Sequence, residues 1–246
     1  MSITPGADIS KPVELERSES HHVRQVLRLA VGDVVELLDG CGGRYHGSID
    51  TIGATVSVRV IDVAYEIPAT PSLWLYQGEL KQAKTDELVE KCVELGVTRF
   101  IPVTCARTQG RRDGRRLQKR WKRRENIVRG ACKQCGRATF MEVAEEGDFA
   151  TLISGSGDHG IIRIMFYEGA RAAFDATLIA GTGTRRICLL TGPEGGIYRP
   201  GSGTGPGRRL AGGRAGGCCG ACRNGGGGGN HYRPTSTGTI IVPDAI

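Results

Sequence analysis

Between Val31 and Val63, apolar and polar residues alternate in short runs, VVELLDG, RYHGSID and ATVSVRVID, broken by Gly and Asp. A period of two places alternate side chains on opposite faces of a sheet, so this stretch predicts a small antiparallel β-barrel. The segment EIPATPS that follows holds Pro68 and Pro71, which cannot donate to a strand ladder, and it marks a linker. Beyond it the pattern changes. SLWLYQGEL, KTDELVEKCVELGV, RFIPVTC, a long basic helix, IIRIMFYEG and RRICLLTGPEGG alternate strand with helix, which predicts a mainly parallel sheet with crossover helices. In KTDELVEKCVELGV, Leu88, Cys92 and Leu95 share one helical face, Lys91 and Glu94 lie on the other, and Gly96 supplies the stop. The chain divides into 1–68, 69–200 and a glycine-rich 201–246.

Open α/β sheets bind ligands beyond the carboxyl ends of their strands, which directs attention to the loops after Tyr167 and Leu190. The second loop begins as Thr191-Gly192-Pro193-Glu194-Gly195-Gly196. Its glycines leave backbone amides and carbonyls open to a flat ligand such as adenine, although a plain turn is the alternative. The other glycine clusters, at 181–183 and 201–207, do not match a dinucleotide fingerprint: a strand follows the first, and no helical pattern follows the second.

Charge sharpens the picture. Lys and Arg number 33 against 26 Asp and Glu, a net charge of +7, which favours polyanionic partners. Eleven basic residues against two acidic ones crowd Arg107 to Arg129, with Leu117, Trp121, Val128 and Cys132 as one apolar stripe. A solvated charged face is one meaning of such a run. Self-repulsion that only a phosphate backbone relieves points to the other, nucleic-acid binding. His21 and His22, beside Arg24 and Arg28, read either as a polar helix surface or as RNA contacts. Cys132-x-x-Cys135 and Cys219-x-x-Cys222 are too far apart for an ordinary four-thiolate zinc site, so the first pair is expected to pack as small apolar residues and no metal is expected. The nine cysteines are read as reduced thiols; with no signal peptide and no long apolar run, a cytoplasmic protein without a membrane anchor is expected.

These residues carry a resemblance. CLLTGPEGGIY is similar to the cofactor loop of the SPOUT methyltransferases. KQAKTDELVEKCVELGVTRFIPV and RWKRRENIVRGACKQCGR resemble the ribosomal RNA small subunit methyltransferase E family within that class, and HHVRQVLRLAVGDVVELLDGCGGRYHGSI resembles its PUA-like barrel. The resemblance implies an α/β fold in which a PUA-like RNA-binding β-barrel precedes a SPOUT domain with a C-terminal trefoil knot. It implies a homodimer that methylates N3 of a uridine in 16S rRNA of the small ribosomal subunit, using S-adenosyl-L-methionine. The cofactor is then expected at Glu168, Leu190, Thr191, Gly192, Pro193, Glu194, Gly195 and Gly196. RNA is expected at His22, Arg24, Arg28, Arg107, Arg115, Lys119, Arg123 and Arg137. No residue stands out as proton acceptor, and positioning of donor and flipped base would supply most of the acceleration.

The family's third cofactor segment has no counterpart in residues 201–246. Glycine codons followed by G, read one base later, encode Ala, Val, Glu or Gly, and Arg223-Asn224-Gly225-Gly226 can then read as the family's glutamate-threonine-alanine motif. The span is therefore read as a reading-frame slip near Tyr198 to Gly201, giving a tail without core partners and an incomplete knot. A non-catalytic RNA-binding protein with a decayed pocket is the competing reading.

Overall fold

The computed structural model describes residues 1–104, 114–148, 160–167, 179, 183–192 and 238–242. The chain separates into two units, residues 1–69 with 126–140, and residues 70–125 with 141–246.

The first unit is built on an antiparallel four-stranded sheet in the order β1 (Val13–Glu14), β4 (Val56–Tyr65), β3 (Gly43–Ile52), β2 (Val34–Leu38). The alternation seen in the sequence produces it: Val35, Leu37, Tyr45, Ile49, Val56 and Val58 point inward and form one cluster. The β2–β3 hairpin is fixed by Asp39, whose Oδ1 accepts the amides of Cys41 and Gly43 at 2.7 and 2.8 Å. Its Oδ2 accepts the buried Tyr45 hydroxyl at 3.0 Å. Burial and that carboxylate push the Tyr45 phenol well above its ordinary pKa. Between β1 and β2 lie a short helix, α1 (Arg17–His21), and a π-helical turn, His22–Leu27.

The rest of this unit comes from the end of a long helix, α3 (Gly114–Cys135), whose Val128, Ala131 and Cys132 are buried. Lys133 of that helix hydrogen-bonds the buried Glu19 carboxylate, which also accepts the Ser2 hydroxyl at 3.1 Å. After the helix, the Ala138 amide donates to Glu66 Oε2 at 2.8 Å, and the Phe140 amide to the Gly40 carbonyl at 2.9 Å.

The second unit is a sheet ordered β11 (Gly238–Val242), β9 (Ile161–Tyr167), β10 (Arg186–Thr191), β5 (Ser72–Gly78), β6 (Arg99–Thr104), β7 (Glu142–Val143), with β8 (Gly147–Asp148) also on β6. Pairing is parallel throughout, except that β11 runs antiparallel to β9. Helix α2 (Gln82–Glu94) joins β5 to β6. It stops where the sequence places the stop: Gly96 has φ +81°, and the amides of Gly96 and Val97 return to the carbonyls of Val93 and Cys92.

Three expectations change. Leu95 is 76% exposed, and the buried face of α2 is Thr85, Val89, Cys92 and Val93, because Leu95 already stands at the helix cap. The stripe on α3 is not one core face. Val128 and Cys132 are buried, whereas Leu117 is half-buried and Trp121 is 41% exposed. The span 201–246 is not wholly without a place, since its β-branched Gly-Thr-Ile-Ile-Val segment forms the edge strand β11. Residues 193–237, on which the knot and the frame slip bear, lie outside the described residues.

Candidate functional site

The carboxyl ends of β5 and β10 are tied by one buried amide. Gln77, 6% exposed in an otherwise apolar strand, accepts the Thr191 hydroxyl on Oε1 at 2.5 Å. Its Nε2 donates to the carbonyls of Gly78 at 2.9 Å and Gly192 at 3.2 Å. All of the amide's strong hydrogen-bonding groups thus have partners, as burial demands. The result is a fixed starting point for the loop: Leu190 and Thr191 end β10, and the buried Gly192 is held by its carbonyl. Neighbouring Tyr76, on the opposite sheet face from Gln77, has its phenol pKa pushed up to about 12 by burial and by Cys188. Pro193, Glu194, Gly195, Gly196 and Glu168 lie outside the described residues.

The first part of α3 presents the basic surface. Arg115 and Lys119 are exposed, as is Arg123, whose Nε donates to Asp86 at 2.7 Å. Arg120 is paired with Glu79 at 2.8 Å. Arg124 lies beside Arg120, and its guanidinium pKa is lowered, first by burial and then by that like charge. Trp121 is fixed by an Nε1 hydrogen bond to the Val143 carbonyl at 2.8 Å. Arg120, Trp121 and Arg124 border a cavity of about 600 Å³, which Lys122, Pro102 of β6, Glu145 and Glu146 also line. Arg107 lies outside the described residues.

In the N-terminal unit, His22, Arg24 and Arg28 fall on the π-helical turn and its end. Arg24 is committed to the fold: its Nε donates to the Ser20 carbonyl at 3.2 Å and its Nη1 to the Gly53 carbonyl at 2.9 Å. His22 and Arg28 are exposed, and Arg28 closes the turn at φ +53°, a left-handed conformation that costs a non-glycine residue about 1–2 kcal/mol. Arg137, half-buried, follows the α3 stop, where its amide returns to the Cys132 carbonyl at 3.0 Å. Cys132 is buried and Cys135 exposed; Cys219 and Cys222 lie outside the described residues. Among the described residues no three His, Cys, Asp or Glu side chains gather, and no helix is long and apolar enough to cross a membrane.

Gln77 was not singled out by the sequence, and of the residues around the α3 cavity Leu117 and Trp121 were read only as part of an apolar stripe. A glutamine inside SLWLYQGEL is the one available sign of the first, since a polar residue at an inward strand position needs internal partners. Arg124 was hidden among the eleven basic residues of its run.

Residues 68–200 match the family model of an RNA methyltransferase domain, and residues 15–58 that of an RNA methyltransferase PUA domain. Ribosomal RNA small subunit methyltransferase E of Synechocystis sp. is 28% identical over 199 residues, covering 79% of this chain and 63% of the relative. The Bacillus subtilis protein of the same name is 25% identical, covering 73% of this chain and 72% of its own. The chain therefore spans less than two thirds of the Synechocystis relative. The crystal structure of ribosomal RNA small subunit methyltransferase E from Neisseria gonorrhoeae bound to S-adenosyl methionine shares the fold, with a TM-score of 0.69 at 23% identity over 80% of each chain. With the methyltransferase-domain match extending over more than half of its length, the chain belongs to the RNA methyltransferase family, in the branch of ribosomal RNA small subunit methyltransferase E.

Proposed function

We propose that this protein transfers a methyl group from S-adenosyl-L-methionine to N3 of a uridine in 16S rRNA, acting in the cytoplasm on the small ribosomal subunit as a homodimer. The observation that supports this most directly is the Gln77–Thr191–Gly192 clamp. It sets the start of TGPEGG at the carboxyl edge of a parallel sheet, where such folds hold ligands. The cofactor fits the described residues, because Gly192, buried and held through its carbonyl by Gln77, puts no side chain in the way of a flat purine.

In this reading residues 69–200 form the methyltransferase domain and residues 1–68 the PUA-like RNA-binding domain. Leu190, Thr191, Gly192, Pro193, Glu194, Gly195 and Gly196, with Glu168, hold the cofactor, which supplies an electrophilic methyl group when bound. The protein's own work is positional: it orients the acceptor base in line and excludes water. Arg115, Lys119, Arg123, Arg107 and Arg137 neutralise phosphates, with His22 and Arg28 on the N-terminal unit, where Arg24 holds the turn through the Ser20 and Gly53 carbonyls.

The test uses the full chain, small ribosomal subunits lacking the modification and S-adenosyl-L-methionine with a labelled methyl group. Label in 16S rRNA, recovered as N3-methyluridine by nucleoside mass spectrometry, is the expected result. Retained rRNA binding with no cofactor binding by calorimetry would instead establish the non-catalytic reading. Gly195→Val is expected to abolish cofactor binding while the melting temperature is kept.

A further inference from the structure

The cavity between α3 and the end of β6 has features that the cofactor clamp does not use. Its volume of about 600 Å³ lies within the range of small-ligand sites and exceeds what a single nucleotide fills. Trp121 stands at its wall with its indole N–H already bonded to the Val143 carbonyl, so the ring is held in place while 41% of the residue stays open. An indole fixed in this way is a stacking platform: it loses little freedom when a flat ring is laid on it.

Charge is arranged around that ring. Arg120 is neutralised by Glu79, but Arg124 and Lys122, which also line the cavity, form no ion pair among the described residues. Arg124 is half-buried beside Arg120, and although the carboxylates of Asp86, Glu146 and Glu79 support its charge, burial and Arg120 outweigh them, a balance that a phosphate would improve. The exposed Glu145, which also lines the cavity, offers carboxylate oxygens, acceptors suited to the N–H groups on a base edge. A platform, cations and an acceptor in one cavity lining supply the three contacts that single-stranded nucleic acid requires: stacking, phosphate and edge.

We propose that this cavity receives one nucleotide of the RNA substrate, its base stacked on Trp121 and its phosphate held by Arg124 and Lys122. The proposal rests on the RNA-methyltransferase reading and names a contact site within it. It also explains why the apolar stripe of α3 leaves the core at Trp121: the ring serves a ligand face.

Trp74 and Trp121 are the two tryptophans of the chain, so a Trp74→Phe variant reports on Trp121 alone. Its emission is followed as a 16S rRNA fragment is added to the full-length protein, and affinities for the fragment and for S-adenosyl-L-methionine are measured separately. Support is quenching that saturates with RNA binding, with Trp121→Ala weakening RNA on the order of tenfold. Trp121→Phe, which keeps a stacking ring and loses the indole N–H, should recover most of that loss, and cofactor affinity should hold in both. RNA binding without any change in Trp121 emission would overturn the nucleotide site and leave the methyltransferase reading standing. Failure of the unaltered protein to bind rRNA at all would overturn both. An equal loss in Trp121→Ala and Trp121→Phe would assign the effect to the Val143 hydrogen bond and overturn the stacking role.

Discussion

The Thr191 hydroxyl donates to Gln77 Oε1 at 2.5 Å, joining the last residue of β10 to the residue paired with it on β5. Because Gln77 also donates to Gly192, replacing it with leucine strands a hydroxyl and a carbonyl in a buried place. Leaving buried polar groups unsatisfied costs about 1–3 kcal/mol. Gln77→Leu is expected to lower the urea midpoint accordingly and to weaken cofactor binding by more than tenfold, measured by calorimetry. Unchanged cofactor affinity would separate the clamp from the site.

The basic face of α3 makes a prediction about salt. Arg115→Ala, Lys119→Ala and Arg123→Ala combined should weaken rRNA binding and reduce the slope of log affinity against log salt by about 0.7 for each phosphate that is no longer neutralised. Arg123 already shares charge with Asp86, so its part should be the smallest of the three. An unchanged slope would identify this face as merely solvated.

Acid stability should depend on Glu19. Burial alone would raise its carboxyl pKa, but the hydrogen bond and charge of Lys133, with the Ser2 hydroxyl, outweigh it and hold the group below the usual carboxylate range. A carboxylate with a depressed folded pKa contributes stability above its unfolded value of about 4.3, and that contribution disappears as pH falls through the folded value. Melting temperatures of the native chain and Glu19→Gln should therefore converge as pH drops below about 4, while the native chain is ahead near neutrality. Lys133→Ala should cost on the order of 2–3 kcal/mol at neutral pH, less than for a wholly enclosed pair, since Lys133 is 30% exposed. Curves that stay parallel to low pH would remove Glu19 as the titrating group.

Gly47 sits at a register shift in the β3–β4 pairing, where a Cβ would meet the Arg59 carbonyl oxygen at 2.4 Å. That atom belongs to the backbone of a paired strand and cannot swing away. Gly47→Ala is expected to destabilise the N-terminal unit by about 1–3 kcal/mol, read from the urea transition. A neutral result would mean that the two strands can separate locally at no cost.

Periodicity made the strands and α2 legible, down to the glycine that ends the helix, because each depends on residues adjacent in the chain. Legibility failed where a residue's role depends on something distant. Leu95 fits the helical spacing but falls at the cap, and Trp121 fits the α3 stripe but meets a cavity instead of a core. Gln77 gains its partners from residues 114 and 115 positions later, a separation that no local pattern records. The strand β11 was missed for a different reason: glycine-rich surroundings masked a short β-branched segment whose pairing partner lies in β9.

Residues 126–140 complete the N-terminal unit, although they are made long after its four strands. Synthesis runs from the amino terminus, so β1 to β4 leave the ribosome while Glu19 still waits for Lys133 and the Gly40 carbonyl for Phe140. Maturation of the first unit is therefore postponed until α2, β6 and α3 have been translated. A fragment ended at the Pro-containing linker would correspond to a translation intermediate, with the Glu19 and Glu66 carboxylates and the Gly40 carbonyl lacking their partners from residues 126–140.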